Sequence, residues 1–332
     1  MKYIILYLLS RLYLCIVVVH SGLYKFKILK PARFSVPLLS IGNILMGGAG
    51  KTPMVVCFSK LLHNKNIKHV IVSRGYKKQS KGTVLVSDGK KPVSVFVENA
   101  YACGDEAYLM AVKLPNTPIV VDENKIIAIN FAIKKFNPDL ILLDDAFQSL
   151  YLDVGCNVVL HNSAFNNTAL RLFPLGNLRQ PLKQLSRADF ILQINRDYRS
   201  KTAVLQWDCN KAQFIPNLDL SISDRAFVFC GLANPKEFLK SVQNLRIEVV
   251  LEKSYADHFE YQNNTKFKKD CLQAKKLGAL VFLTTYKDFV KLQNDSCFMD
   301  ADIIWKILDL EYCLVAAENT LDGLLAHLSI NK

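Results

Sequence analysis

Between Ser40 and Pro53 the chain reads Ser-Ile-Gly-Asn-Ile-Leu-Met-Gly-Gly-Ala-Gly-Lys-Thr-Pro, a glycine-rich turn between an apolar run and a run with apolar residues at helical spacing. Few folds use a strand, a glycine loop and a helix start in that order, and the arrangement suits a phosphate cradle. Gly47, Gly48 and Gly50 let the backbone reach φ > 0 and, with Ala49 between them, bring N–H groups close to phosphate oxygens, while the helix N-terminus adds positive dipole. Lys51 would reach the β- and γ-phosphates of a nucleotide such as ATP, and Thr52 would offer its hydroxyl to Mg²⁺. The strict phosphate-loop pattern places glycine at position 45, where this chain has Leu45, so the match is to the Gly-Lys-Thr half with a Gly-Gly pair before it. Taken alone, the stretch also fits a strand-to-helix turn with an exposed lysine.

The surrounding pattern supports an α/β fold. Val36 to Ile41 suits a buried parallel strand, and Lys51 to Leu62 a helix. Val70 to Ser73, Pro118 to Val121 and Leu140 to Leu143 read as further strands, with helices opening at Gly104-Asp105-Glu106 and near Glu123. Thr83–Val86 and Val93–Val97 flank an Asp88-Gly89 turn, like a hairpin. Alternating strands and helices predict a mostly parallel, right-handed sheet flanked by helices. From about Ala203 the pattern restarts, with strands at Ala226–Cys230 and near 248–251, 280–283 and 312–315. This predicts a phosphate-loop core over residues 35–200, a second, smaller α/β lobe over 201–332, and a cleft between them.

Two clusters carry further chemistry. Leu140 to Leu143 ends in Asp144 and Asp145, and carboxylates at a strand's carboxyl end are where a phosphate-loop fold holds Mg²⁺. Tyr255-Ala256-Asp257-His258-Phe259 sets a histidine beside an aspartate, an arrangement for acid–base or electrostatic work that is also common as plain structure. Arg171 and Arg179 lie in and beside a long loop and could face an anion or water. The other histidines, at 20, 63, 69, 161 and 327, have no partners in sequence.

Residues 3 to 19 are almost wholly apolar or aromatic, interrupted by Arg11 and followed by Lys25, Lys27, Lys30 and Arg33. An arginine at the centre of a spanning helix costs about 2.5–3.5 kcal/mol. Residues 1–34 are therefore expected to form an interfacial membrane helix with a basic flank, packing on the protein's own core being the alternative. The formal net charge of +13 favours anionic partners. The nine cysteines lack any Cys-x-x-Cys pair and read as reduced thiols in a cytosolic setting.

Together these residues resemble one family, the tetraacyldisaccharide 4′-kinases, which phosphorylate a membrane-bound disaccharide lipid in lipid A biosynthesis. The resemblance runs through Gly42-Asn43, Gly47-Gly48-Ala49-Gly50-Lys51-Thr52-Pro53, Ser73-Arg74-Gly75-Tyr76, Gly104-Asp105-Glu106, Asp144-Asp145-Ala146-Phe147-Gln148, Pro174 to Leu182, Gly231 to Pro235, Asp257-His258 and Thr284 to Leu292. The loop without its first glycine is itself a family trait. The resemblance implies ATP and Mg²⁺, Asp105 as base paired with His258, and an anionic disaccharide lipid acceptor met by Arg74, Gln148, Arg171 and Arg179. It also implies a peripheral or monotopic place on the cytoplasmic face of the bacterial inner membrane, with no nucleic acid and no obligate protein partner. The chain departs from the family pattern at Ser149 and Phe259, where histidine, and histidine or tyrosine, are usual.

Two other readings compete with a kinase. A membrane-bound phosphate-loop ATPase or GTPase switch would need, for guanine, an Asn-Lys-x-Asp motif, which Thr285-Tyr286-Lys287-Asp288 does not supply. A non-enzymatic basic protein binding membrane or nucleic acid would show no nucleotide turnover and a steep loss of affinity with salt.

Overall fold

The computed structural model describes residues 1–47, 50–161, 171–193, 198–208, 213–216, 225–245, 247–292, 303–314 and 317–330. Its first sheet contains β1 (Leu38–Gly42), β2 (His69–Ser73), β3 (Val84–Asp88), β4 (Pro118–Val121), β5 (Leu140–Asp144), β6 (Cys156–His161) and β7 (Phe190–Gln193), in the order β3-β4-β2-β5-β1-β6-β7. Only β3, at the edge, is antiparallel. Strands covered on both faces need continuous apolar sequence, and every residue of β1, β2 and β5 is buried. Around this sheet stand α2 (Lys51–Asn64), α3 (Ala100–Cys103), α4 (Asp105–Lys113) and α5 (Lys125–Phe136); α1 (Lys2–Lys25) precedes the sheet and is almost wholly outside the core.

The expected hairpin at Asp88-Gly89 does not form. β3 pairs instead with β4, and Val93–Val95 is a 3₁₀ turn behind Pro92. Pro92 cannot donate to a ladder, whereas the edge of β4 is free to take β3.

The second sheet contains β8 (Tyr198–Asp208), β9 (Gln213–Pro216), β10 (Arg225–Cys230), β11 (Glu248–Ser254), β12 (Val281–Thr285) and β13 (Ile304–Leu314), in the order β11-β10-β12-β13-β8-β9. The first four are parallel, and β8 and β9 add an antiparallel edge. Its helices are α6 (Pro235–Gln243), α7 (Thr265–Lys276), α8 (Tyr286–Phe289) and α9 (Ala317–His327). The strand expected near 312–315 is the tail of the longer β13.

One apolar cluster joins the two sheets, taking in Leu39, Ile41 and Phe58 with Phe227, Trp305 and Leu321. Burying a side chain such as Phe58 contributes about 1.5–3 kcal/mol, so this continuity fixes the cleft walls. The C-terminal α9 returns to the first sheet, where Asp322 pairs with Lys65, the residue that caps the end of α2, at 2.9 Å.

Candidate active site

The ends of β1 and β5 sit side by side, with Ile41 in register with Asp144, so the glycine loop and the paired aspartates open on one edge. At Gly42 a Cβ would lie 2.7 Å from the Cβ of Phe147, so only glycine allows this approach. Gly50, at φ 70°, is the N-cap of α2. The first turn of α2 thereby leaves backbone N–H groups without intrahelical partners, as anion binding requires. Lys51 Nζ lies 3.3 Å from Asn43 Oδ1 and 3.5 Å from Asp145 Oδ2. Gly48 and Ala49 lie outside the described residues. The 171–182 segment is laced to this loop: Met46 N–H donates to Asn177 O at 2.7 Å, and Arg179 N–H to Ile44 O at 2.8 Å.

The two adjacent aspartates differ in their surroundings. Asp145 Oδ2 accepts from Arg179 at 2.8 Å, and its backbone carbonyl accepts from buried Lys125 at 3.1 Å. Burial opposes its charge, yet Lys51 and Arg179 hold its carboxyl below the usual range. Asp144 has a single hydroxyl donor, Ser73 Oγ at 3.0 Å. Burial, with the charges of Glu106 and Asp145, pushes its carboxyl upward. Both residues keep a buried Oδ1 without a protein partner. An under-compensated pair of hard oxygens beside Thr52 is a donor set that fits Mg²⁺, which prefers carboxylate and hydroxyl oxygen.

The second cluster is assembled from segments that accompany different sheets. Asp105 is the first residue of α4, and its Oδ1 accepts from the Glu106 N–H at 2.9 Å. His258, in the connection after β11, directs Nδ1 at Asp105 Oδ2, 2.9 Å away, from a left-handed backbone at φ 59°. The edge of the Tyr76 ring, 4.9 Å between centroids, flanks the imidazole. Lys291 lies 3.8 Å from Asp105, and Lys287 reaches Glu106 at 3.4 Å, Asp257 at 3.2 Å and His258 Nε2 at 3.4 Å. Burial works against the Asp105 anion, but the His258 hydrogen bond and the two lysines hold its carboxyl down at about 2. Burial likewise opposes the Lys287 charge, and the carboxylates of Glu106, Asp105 and Asp257 more than offset it, holding it above its ordinary range. Glu106 links the clusters, since it pairs with Lys287 and its charge also acts on Asp144.

Glu106, Asp257, His258 and Lys287 of the second cluster share with Lys51, Asp144 and Asp145 one cleft of about 1800 Å³, which Leu232 and Asn234 close from the side of the second sheet and Tyr13 from α1; Asp105 opens instead on a small adjoining pocket with Tyr76, His258 and Lys291. Of the expected anion-facing residues, Arg74, Gln148 and Arg179 line this cleft, as does Ser149. Gln148 Nε2 donates to Asn43 O at 2.5 Å. Arg171 turns away and hydrogen-bonds Tyr3 on α1. Phe259 stacks on Tyr255 at 4.4 Å, and its carbonyl accepts from Lys291 at 3.2 Å. Sequence reasoning did not assign Lys125, Glu106, Lys287 or Lys291. The nearest signals were Gly104-Asp105-Glu106 and Thr284 to Leu292, quoted for the family resemblance without roles for these residues, Thr285 to Asp288 being also weighed as a guanine motif.

The apolar α1 is anchored by its few polar atoms. Ser10 Oγ donates to Leu172 O at 3.0 Å, Tyr13 Oη to Arg179 O at 2.7 Å, and Gln184 Nε2 to Ser21 Oγ at 3.2 Å. Ile4, Leu8, Leu12, Ile16 and Val19 remain exposed. By length and composition α1 could cross a membrane, with a mean hydropathy of 2.0.

Comparison with known proteins places these features in a known setting. A family model for tetraacyldisaccharide-1-P 4′-kinase matches residues 2–329. The tetraacyldisaccharide 4′-kinase of Aquifex aeolicus is 34% identical over 86% of this chain and 88% of its own length. That of Bartonella henselae is 37% identical over 80% and 76%. The crystal structure of the "apo" form of LpxK from Aquifex aeolicus in complex with ATP superposes with a TM-score of 0.78 at 30% identity, covering 99% of both chains.

Proposed function

The chain belongs to the tetraacyldisaccharide-1-P 4′-kinase family, and from that premise we propose that it transfers the γ-phosphoryl group of ATP to the 4′-hydroxyl of a tetraacyldisaccharide 1-phosphate lipid. The observation that carries this reading is the meeting, in one cleft open to α1, of the Lys51 loop with His258, which holds Asp105 by a 2.9 Å hydrogen bond at the cleft's edge. A phosphate loop alone serves switches and kinases equally. A buried carboxylate and histidine positioned beside it give an incoming hydroxyl somewhere to leave its proton.

Lys51 and the amides of the loop, including Gly47, Gly48, Ala49 and Gly50, hold the phosphate chain and offset charge on the transferred group. Thr52 with Asp144 and Asp145 would hold Mg²⁺, which would supply positive charge to offset that of the phosphates. Asp105 accepts the hydroxyl proton, and His258 orients it. A carboxylate with so low a pKa is a weak base, and a loose phosphoryl-transfer transition state asks for little more, because the hydroxyl proton leaves late. Arg74, Gln148 and Arg179 face the anionic parts of the substrates, while Arg171 is held by Tyr3 on α1, away from the cleft. The exposed apolar side of α1 lies in the cytoplasmic leaflet of the inner membrane with the basic residues after it at the headgroups. The division at residues 35–200 and 201–332, with 1–34 as the membrane element, is part of the same reading.

Incubation with ATP labelled at the γ-phosphate and a disaccharide 1-phosphate lipid tests it. Label is expected at the 4′ position of the lipid and absent with Lys51→Ala. Release of labelled phosphate with no labelled lipid would favour a nucleotide-driven switch.

A further inference from the structure

Away from the cleft, three side chains of different chemistry converge at the edge of the first sheet. Cys156 opens β6, Asp189 immediately precedes β7, and His327 is the last residue of α9. One potential ligand atom from each lies within 4.8 Å of the others. None of the three lines the cleft. We propose that Cys156, Asp189 and His327 form a binding site for a zinc-class divalent cation that fastens the C-terminal helix to the edge of the phosphate-loop sheet.

The donor set selects the class of ion. One sulfur, one imidazole nitrogen and one carboxylate oxygen suit Zn²⁺ and its close analogue Co²⁺, whereas Mg²⁺ takes oxygen and avoids thiolate. Three protein ligands leave a fourth tetrahedral position for water. Zinc bonds of about 2.0–2.3 Å require ligand atoms roughly 3.3–3.8 Å apart. His327 Nε2 and Asp189 Oδ1 already stand at 3.4 Å. The thiol lies within the 4.8 Å limit, so side-chain rotation of about 1 Å completes the geometry.

Groups outside the site hold each ligand in place, as supporting shells do in metal sites. Asp189 Oδ2 accepts from the Asn157 N–H at 2.7 Å, which leaves Oδ1 turned toward His327. The Phe190 ring meets the imidazole nearly at right angles, 5.9 Å between centroids. Cys156 is fixed by its register with Leu39 in β1 and is fully buried, while the histidine is partly exposed and leaves a way in.

The test uses the full chain, stripped of metal by chelation and titrated with Co²⁺ and, separately, Zn²⁺. The expected result is one Co²⁺ per chain with a thiolate-to-cobalt charge-transfer band, and a rise in melting temperature with Zn²⁺, since a ligand bound only by the folded state stabilises it. Cys156→Ser should abolish the band. His327→Gln, at a partly exposed position that leaves the buried thiol in place, should weaken Co²⁺ binding at least tenfold and remove the Zn²⁺ effect on melting. Absence of a thiolate band in the wild type, or an unchanged titration of His327→Gln, overturns the proposal. Neither variant touches Thr52, Asp144 or Asp145, so kinase activity measured in Mg²⁺ should stay near that of the wild type, and the family reading stands or falls separately.

Discussion

Asp105 at the start of α4 and His258 after β11, separated by 153 residues, meet with 2.9 Å between Oδ2 and Nδ1. Asp105→Asn keeps the shape and the start of α4 but removes the proton acceptor. kcat should fall about 10²–10⁴-fold with ATP binding retained. His258→Ala should act in the same direction, and the double variant should lose less than the product of the two, because residues acting as a unit are not additive. Additive losses in a double-mutant cycle would separate the roles.

The same pair predicts a stability change with pH. The Asp105 carboxyl titrates near 2 in the fold against an ordinary 3.8. A depressed folded pKa gives stabilisation that is present above the unfolded value and is lost as pH falls through the folded one. The stability gap between wild type and Asp105→Asn should therefore be constant above about pH 5 and shrink as pH falls from about 4 toward 2. Urea unfolding across that range checks this. A gap that widens on acidification contradicts the assignment.

Asp144 and Asp145 should part company when each is changed to asparagine. Asp145 balances Lys51, Arg179 and Lys125, so its loss leaves buried cations unpaired and should lower the melting temperature. Asp144 faces other carboxylates, against which Lys51 and the Ser73 hydroxyl compensate only in part. Asp144→Asn should melt at or above the wild-type temperature without Mg²⁺, while needing at least tenfold more Mg²⁺ for activity. Equal destabilisation by both would show that the pair acts as one structural unit.

The sequence carried the local chemistry well and the long-range chemistry poorly, for a physical reason. Strand, loop and helix around Lys51 are adjacent in the chain, so glycine content and apolar spacing sufficed. Lys287 and Glu106 stand 181 residues apart, and neither has a local pattern that announces the other. Lys125 has no neighbour in sequence that points to Asp145, whose carbonyl it meets only because the end of β5 lies beside α5. The β3 error came from trusting a turn signal over a neighbouring strand's open edge. Cys156 and His327 were read as a core thiol and an unpartnered histidine because only the return of α9 joins them. Arg171 had the right charge, but its direction depends on where α1 docks.

Glycine substitutions probe the backbone contact that aims Asp105. Gly104, at φ 94°, would place a Cβ 2.9 Å from Tyr76 O and 3.1 Å from Gly75 C. Gly104→Ala thus combines an unfavourable φ with a clash against main chain. It should cost about 1–3 kcal/mol of stability and lower kcat by shifting Asp105. Gly82→Ala is the control, since its φ is 71° and nothing lies within 4 Å. It should cost only the left-handed penalty, about 1–2 kcal/mol, with kcat unchanged. Loss of activity in both would point to general loosening instead.

The exposed stripe of α1 makes the last distinction, between a helix that holds the membrane and one that holds the active site together. Leu8 and Leu12 face outward one turn apart, whereas Tyr13 lines the cleft and donates to Arg179 O. Burying each leucine in an acyl boundary contributes up to about 1.5–3 kcal/mol, and every 1.4 kcal/mol is about tenfold in partition. Leu8→Glu with Leu12→Glu should therefore reduce co-sedimentation with anionic vesicles by about 10²-fold or more, while turnover of a detergent-dispersed lipid acceptor stays within a few-fold. Tyr13→Phe should do the reverse, leaving sedimentation intact and raising KM for the lipid. If the leucine variant still sediments and a protease outside sealed vesicles cannot reach the N-terminus, α1 crosses the bilayer instead of lying on it.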